Sequence, residues 1–84
     1  MQIGFLVKSK QGRDKGKIYV VYEIVNKDFV NLVDGDKRKI DNPKKKRVKH
    51  IEVVQESLEL DKDKFVDSDI KKLCKNYVSG GKNA

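Results

Sequence analysis

Residues 18–25, Ile-Tyr-Val-Val-Tyr-Glu-Ile-Val, put apolar side chains on both sides of any extended chain: Ile18, Val20, Tyr22 and Ile24 on one, Tyr19, Val21 and Val25 on the other. β-Branched and aromatic residues favour a strand, and a strand apolar on both faces has to be covered on both. The run therefore reads as the central strand, and the rest of the chain must pack against it from two sides. The 84 residues leave little material for this, since a chain so short buries only about 60 to 65% of its unfolded surface. With 37% hydrophobic and 39% charged residues, the core has to come from a few well-patterned segments.

Those segments flank the central run. Met1–Lys8 carries Ile3, Phe5, Leu6 and Val7 and reads as a first strand, and the glycine-containing charged turn Gly12-Arg13-Asp14-Lys15-Gly16-Lys17 leads out of it. Asn26-Lys27-Asp28 turns into the strand Phe29–Val33, and Asp34-Gly35-Asp36 is a tight-turn signal leading to a further strand, Lys37–Ile40. Asp41-Asn42-Pro43 breaks the meander, because proline lacks the N–H that a ladder needs, and the basic run Lys44–Arg47 follows as a connection. A last strand spans Val48–Val54, with a bulge or single helical turn near His50 where alternation fails. Five short strands within residues 1–54 predict a mainly β fold, a small closed antiparallel barrel. Residues 55–84 change character: Leu58 and Leu60 suggest a short edge strand, and Asp67-Ser68-Asp69 offers an N-cap for a helix over residues 68–79. Ile70, Leu73, Cys74 and Tyr77 fall at helical spacing, so Ile70, Leu73 and Tyr77 are expected to pack on the barrel. Gly80-Gly81 reads as the stop, with a frayed tail to Ala84, and the whole as one compact domain.

The single cysteine, Cys74, forms no intrachain disulfide, and one histidine with one cysteine makes no four-ligand zinc site. No apolar run approaches the ~20 residues of a membrane span, and no basic stretch with an apolar core opens the chain, so a cytoplasmic protein is expected. Net charge is +7, and it is unevenly spread: residues 1–50 hold 14 Lys and Arg against 6 Asp and Glu, residues 51–84 hold 6 against 7. Such asymmetry fits a module that meets a polyanion and an appendage that does not.

Little in the chain suggests catalysis. Cys74 on the apolar face of a helix reads as a packed small hydrophobe, and His50, between Lys49 and Ile51, as a structural histidine or an RNA contact. The cations instead form three groups: Lys8, Lys10, Arg13, Lys15 and Lys17 around the first turn; Lys37, Arg38 and Lys39 after Asp34-Gly35; and Lys44, Lys45, Lys46, Arg47 and Lys49. Loops at one end of a small barrel lie close together, so the groups merge into one phosphate-binding patch if they share that end. Gly12 and Gly16 either let a backbone N–H approach a phosphate or serve only as turn positions. Asp14 is expected to orient Arg13 or a turn N–H, since a carboxylate facing a polyanion is repelled. Tyr19, Tyr22 and Phe29 read as core residues, which leaves no stacking platform and predicts weak base preference.

The segment Val7-Lys8-Ser9-Lys10-Gln11-Gly12-Arg13-Asp14-Lys15-Gly16-Lys17-Ile18-Tyr19-Val20-Val21 resembles the KOW motif, in which a basic, glycine-containing loop joins the first two strands of an SH3-like barrel. The pattern continues through Phe29-Val30, Val33-Asp34-Gly35, Asn42-Pro43-Lys44-Lys45-Lys46 and Lys49-His50-Ile51. Over residues 3–54 it is similar to the KOW-containing RNA-binding proteins of Gram-positive bacteria, which are related to a large-subunit ribosomal protein of archaea and eukaryotes (type fourteen). This resemblance implies a five-stranded SH3-like barrel and a non-enzymatic RNA-binding protein associated with ribosomal RNA or translation, with no cofactor, no metal and no small-molecule substrate. Gly16 takes the place of the motif's glycine. The residues expected to meet RNA are Lys8, Ser9, Lys10, Gly12, Arg13, Lys15, Gly16, Lys17, Lys37, Arg38, Lys39, Lys44, Lys45, Lys46, Arg47, Lys49 and His50. The competing expectation is a protein-interaction module, docking on ribosomal or transcription-complex proteins.

Overall fold

In the computed structural model, which describes residues 2–56 and 66–83 with side chains as far as Tyr77, the doubly apolar run forms β2 (Ile18–Ile24), and every residue from Ile18 to Val21 is buried. It is the middle of a five-stranded antiparallel sheet in the order β4-β3-β2-β1-β5, with β1 at Leu6–Ser9, β3 at Phe29–Val33, β4 at Lys44–Arg47 and β5 at Ile51–Gln55. Leu6 faces Val20 and Val7 faces Tyr19 across β1 and β2, so the two faces of the central strand continue into its neighbours. One face gathers Leu6, Ile18, Val20 and Val33; the other gathers Val7, Tyr19, Val21, Val30, Leu32 and Ile51. A register shift at Tyr22 bulges β2 and leaves Glu23 opposite Asn31, whose amide N–H donates to the Glu23 carboxylate at 2.8 Å.

The fourth strand is not where turn chemistry placed it. Lys37–Ile40 forms no strand, because the Asp34 carboxylate competes for the backbone: its Oδ1 accepts the N–H groups of Asp36 at 2.8 Å and Arg38 at 2.9 Å, and the chain curls back on itself. β4 forms instead from Lys44–Arg47, the run expected to be a connection, pairing Leu32 with Lys44 and Phe29 with Arg47. A row of four cations is tolerated there because β4 ends the sheet, where charged side chains keep an edge soluble and long aliphatic stems cover apolar neighbours. A single 3₁₀ turn, Val48–His50, follows as the broken alternation suggested, and β5 begins only at Ile51.

The helix α1 (Asp67–Asn83) covers the first face. Ile70 and Cys74 are buried against Leu6, Ile18, Val20 and Val33, with Tyr77 packed at the margin; Leu73, expected in this stripe, is only half-buried and lies outside the cluster. The expected stop is also overturned, since α1 runs through Gly80 and Gly81 to Asn83; a glycine inside a helix costs only about 1 kcal/mol relative to alanine. Asp67 and Asp69 place acidic charge in the first turn, as expected, with Asp67 as the first residue of the helix rather than before it. The Asp67 Oδ1 accepts the Ile40 N–H at 2.8 Å and so ties the 34–43 connection to the first turn of α1. The edge strand expected at Leu58 and Leu60 lies outside the described residues. No helix among the described residues is long and apolar enough to cross a membrane.

Gly35 lies directly against the backbone of the first turns of the helix. It is buried at φ +78°, and a Cβ there would overlap the Asp67 carbonyl oxygen and lie 2.6 Å from Lys71 N. Gly16 has a similar φ of +91° but open space where its Cβ would be. Gly35→Ala is therefore expected to lose about 3 kcal/mol in urea unfolding, from strain and overlap together, and Gly16→Ala only about 1 kcal/mol from backbone strain.

Candidate functional site

The turn between β1 and β2 is built around one carboxylate. Asp14 is 10% exposed in its side chain, and four donors meet it: the Ser9 hydroxyl at 2.8 Å and the Lys46 ammonium at 2.9 Å on Oδ1, the Tyr19 hydroxyl at 2.8 Å and the Lys44 ammonium at 2.9 Å on Oδ2. A carboxylate has about four acceptor positions, and all are filled. Asp14 thus orients neither Arg13 nor a turn N–H through its side chain; its backbone oxygen accepts the Lys17 N–H at 2.9 Å. Lys46 also donates to the Gln11 carbonyl at 2.9 Å, and the Lys10 N–H donates to the His50 carbonyl at 2.8 Å. These bonds join the β1–β2 turn to β4 and to the 3₁₀ turn, although two strands stand between β1 and β4 in the sheet. A flat sheet would hold β1 and β4 about 14 Å apart, so the sheet is strongly curled.

The electrostatics follow from this packing. Burial pushes the Asp14 carboxyl up, but the hydrogen bonds from Lys46, Lys44, Ser9 and Tyr19 outweigh it and hold the group far below the usual carboxylate range. The Tyr19 hydroxyl is pushed well up, first by burial and then by its bond to the Asp14 carboxylate, so it remains a donor. Burial likewise opposes ionisation of Asp34, and its bonds from the Lys17 ammonium at 2.7 Å and from the Asp36 and Arg38 N–H groups prevail to lower it. His50 is lowered by loss of solvent and by the charges of Lys49, Lys46, Arg47 and Lys10 around it. Cys74 is buried, and its thiol is pushed up to about 12 by burial and by the charge of Asp34.

The expected RNA contacts divide into two sets. Ser9 is fully buried and shares its proton between Asp14 and the Gln11 carbonyl; Lys44 and Lys46 point at Asp14, and Lys17 at Asp34. These four hold the turn together. Lys8, Lys10, Arg13, Lys15, Lys37, Lys39, Lys45, Arg47 and Lys49 are exposed, with Arg38 and His50 half-buried, and none of them forms an ion pair among the described residues. Gly12 and Gly16 take the positive φ angles of +93° and +91° that the turn requires. Lys8, Ser9, Lys10, Lys15, Gly16 and Glu52 line an open cleft of about 580 Å³ beside the turn.

The first and third cation groups are brought together through Asp14 and His50, and the second adjoins the first where Lys17 meets Asp34. Tyr19 is core, as expected, but also a hydrogen-bond donor to the turn; Phe29 belongs to neither apolar cluster and is half-exposed. Sequence spacing alone could not find the Asp14 partners on β4, 30 and more residues away. The one signal was an acid alone within a basic turn. Among the described residues no group of three His, Cys, Asp or Glu side chains could hold a metal ion. No protein-family model and no curated protein matches the chain.

Removing the Asp14 charge leaves Lys46, itself 10% exposed, without its partner, and Asp14→Asn is expected to cost about 3 kcal/mol in denaturant unfolding at neutral pH. Because the native carboxyl is depressed, its contribution is complete above the unfolded value of 3.8 and is lost as pH falls below it. The stability gap between wild type and Asp14→Asn should therefore narrow as unfolding is measured at progressively lower pH below that value. A gap constant with pH would remove the ion-pair explanation.

Proposed function

We propose that the chain is a non-enzymatic RNA-binding protein of the KOW type, its curled sheet an SH3-like barrel, and that it holds RNA by its phosphates as a ribosomal-RNA-associated or translation-associated component. The observation that carries the reading is the division of labour at the first turn. Asp14 spends its charge on Lys44 and Lys46, and the same contacts bring Lys10, Lys49 and His50 close together, with Lys10 and Lys15 lining one cleft beside the turn, none of these four with an ion-pair partner among the described residues. An array of unpaired cations on a rigid frame suits a polyanion, because each phosphate neutralised releases condensed counterions. That the polyanion is RNA rests on the resemblance of residues 7–21 and of Asn42-Pro43-Lys44-Lys45-Lys46 to the KOW pattern. The glycine at position 16, at φ +91° with open space before it, agrees with that pattern.

The test is affinity for a structured ribosomal RNA fragment as a function of salt. Wild type should show a steep linear fall of log affinity with log salt, and Lys10→Ala, Arg13→Ala and Lys15→Ala combined should lower the slope by about 2 to 3 while leaving the melting temperature unchanged. Lys17 is kept out of this set because its ammonium is tied to Asp34. A flat salt response in wild type sinks the proposal, and partners that survive nuclease treatment while purified RNA fails to bind would point to protein docking instead.

A further inference from the structure

Among the described residues, Phe29 is the aromatic side chain that the two apolar clusters leave out. It lies half-buried on β3 opposite Arg47, and two cations cover its ring, the Lys45 ammonium 4.8 Å and the Arg47 guanidinium 5.2 Å from the centroid. The alternation of β4 produces this arrangement: Lys44 and Lys46 turn to Asp14, so Lys45 and Arg47 turn to the other face, where Phe29 stands. Beside them Lys27, Asp28, Arg47, Val48 and Lys49 line an open cleft of about 430 Å³, with three cations against one carboxylate. Its volume falls in the range of small-ligand sites.

We propose that Phe29 and this cleft hold one unpaired nucleotide of a bound RNA, the base stacked on the Phe29 ring and the phosphate held by Lys45, Arg47 and Lys49. The inference rests on the RNA-binding reading above and adds a stacking site, where the sequence led us to expect no stacking platform. In the free protein the two exposed cations lie over the π face of the ring. A phosphate offers them shorter, charge-assisted hydrogen bonds, and as they move to it the ring face is left to the base. Stacking of this kind accepts any base, because every base has a π face. A continuous duplex keeps its bases stacked inside and cannot use the site, so the preference is for loops, bulges and single strands.

The experiment compares wild type with Phe29→Leu on three probes at one salt concentration: a short oligouridine, an RNA duplex of the same length, and inorganic polyphosphate of matched charge. Phe29→Leu should weaken oligouridine binding about tenfold and leave duplex and polyphosphate binding unchanged, with Phe29→Tyr close to wild type on all three. No loss on oligouridine, or an equal loss on polyphosphate, overturns the proposal. If Phe29→Leu does not fold, crosslinking of wild type to 4-thiouridine oligonucleotide decides: attachment at Phe29 or Arg47 supports the site, and attachment only elsewhere overturns it. Wild type that binds neither RNA nor polyphosphate overturns the RNA-binding reading itself, whereas wild-type binding with an unaffected Phe29→Leu overturns the nucleotide site alone.

Discussion

The Asp14 carboxylate, taken out of water with Lys46 and partly with Lys44, is the interaction on which the arrangement of this small protein turns. Burying such charges costs several kcal/mol, and the loss is offset only when hydrogen bonds occupy the remaining acceptor positions. Here the Ser9 and Tyr19 hydroxyls complete the set. The result constrains three parts of the chain together: the end of β1, the start of β2 and the whole of β4 must come within reach of one side chain. An apolar contact of the same size tolerates sliding, but four directed bonds to two oxygens do not. The turn is therefore held in one shape in a chain whose core is too thin to hold it by packing alone.

A second constraint secures the other face. The 34–43 connection would be an ordinary surface loop were it not folded on the Asp34 carboxylate and pressed against α1 through Gly35 and the Ile40 bond to Asp67. Asp34 also receives Lys17, so the same acid that shapes the connection reaches the far end of the first turn. Two carboxylates, Asp34 buried and Asp14 with 10% of its side chain exposed, thus organise the two ends of one basic loop, and α1 closes over the apolar face between them. In a protein with 39% charged residues, some charges have become internal scaffolding because apolar residues were too few to do that work.

This division changes how the basic composition is understood. Lysines adjacent in sequence have opposite tasks: Lys44 and Lys46 neutralise Asp14, while Lys45 and Arg47 lie outside over Phe29. A strand period of two sorts them, so a run of four cations supplies two counterions and two free groups. The proposed phosphate surface draws on the free groups, and its geometry depends on the internal ones.

The central strand within 18–25, the strand Phe29–Val33, the 3₁₀ turn near His50 and the helix stripe of Ile70, Cys74 and Tyr77 were legible in the sequence because each is a local pattern of side-chain period and turn chemistry. The first strand was legible only in part, beginning at Leu6 rather than Met1, and the central strand is covered only as far as Val21, with Ile24 and Val25 exposed. So was the concentration of positive charge in residues 1–50. The fourth strand was misread, since an Asp-Gly turn looks the same whether its carboxylate faces water or captures the next backbone N–H groups. The helix end was misread too, because a glycine pair stops a helix only where the chain takes a left-handed turn. What tertiary structure alone decided is which charges pair: Asp14 meets Lys44 and Lys46 only because the sheet curls, and a contact across 30 residues leaves no mark in local spacing. Sequence set the inventory of cations and the strands that carry them; the curl of the sheet chose which became structure and which face outward.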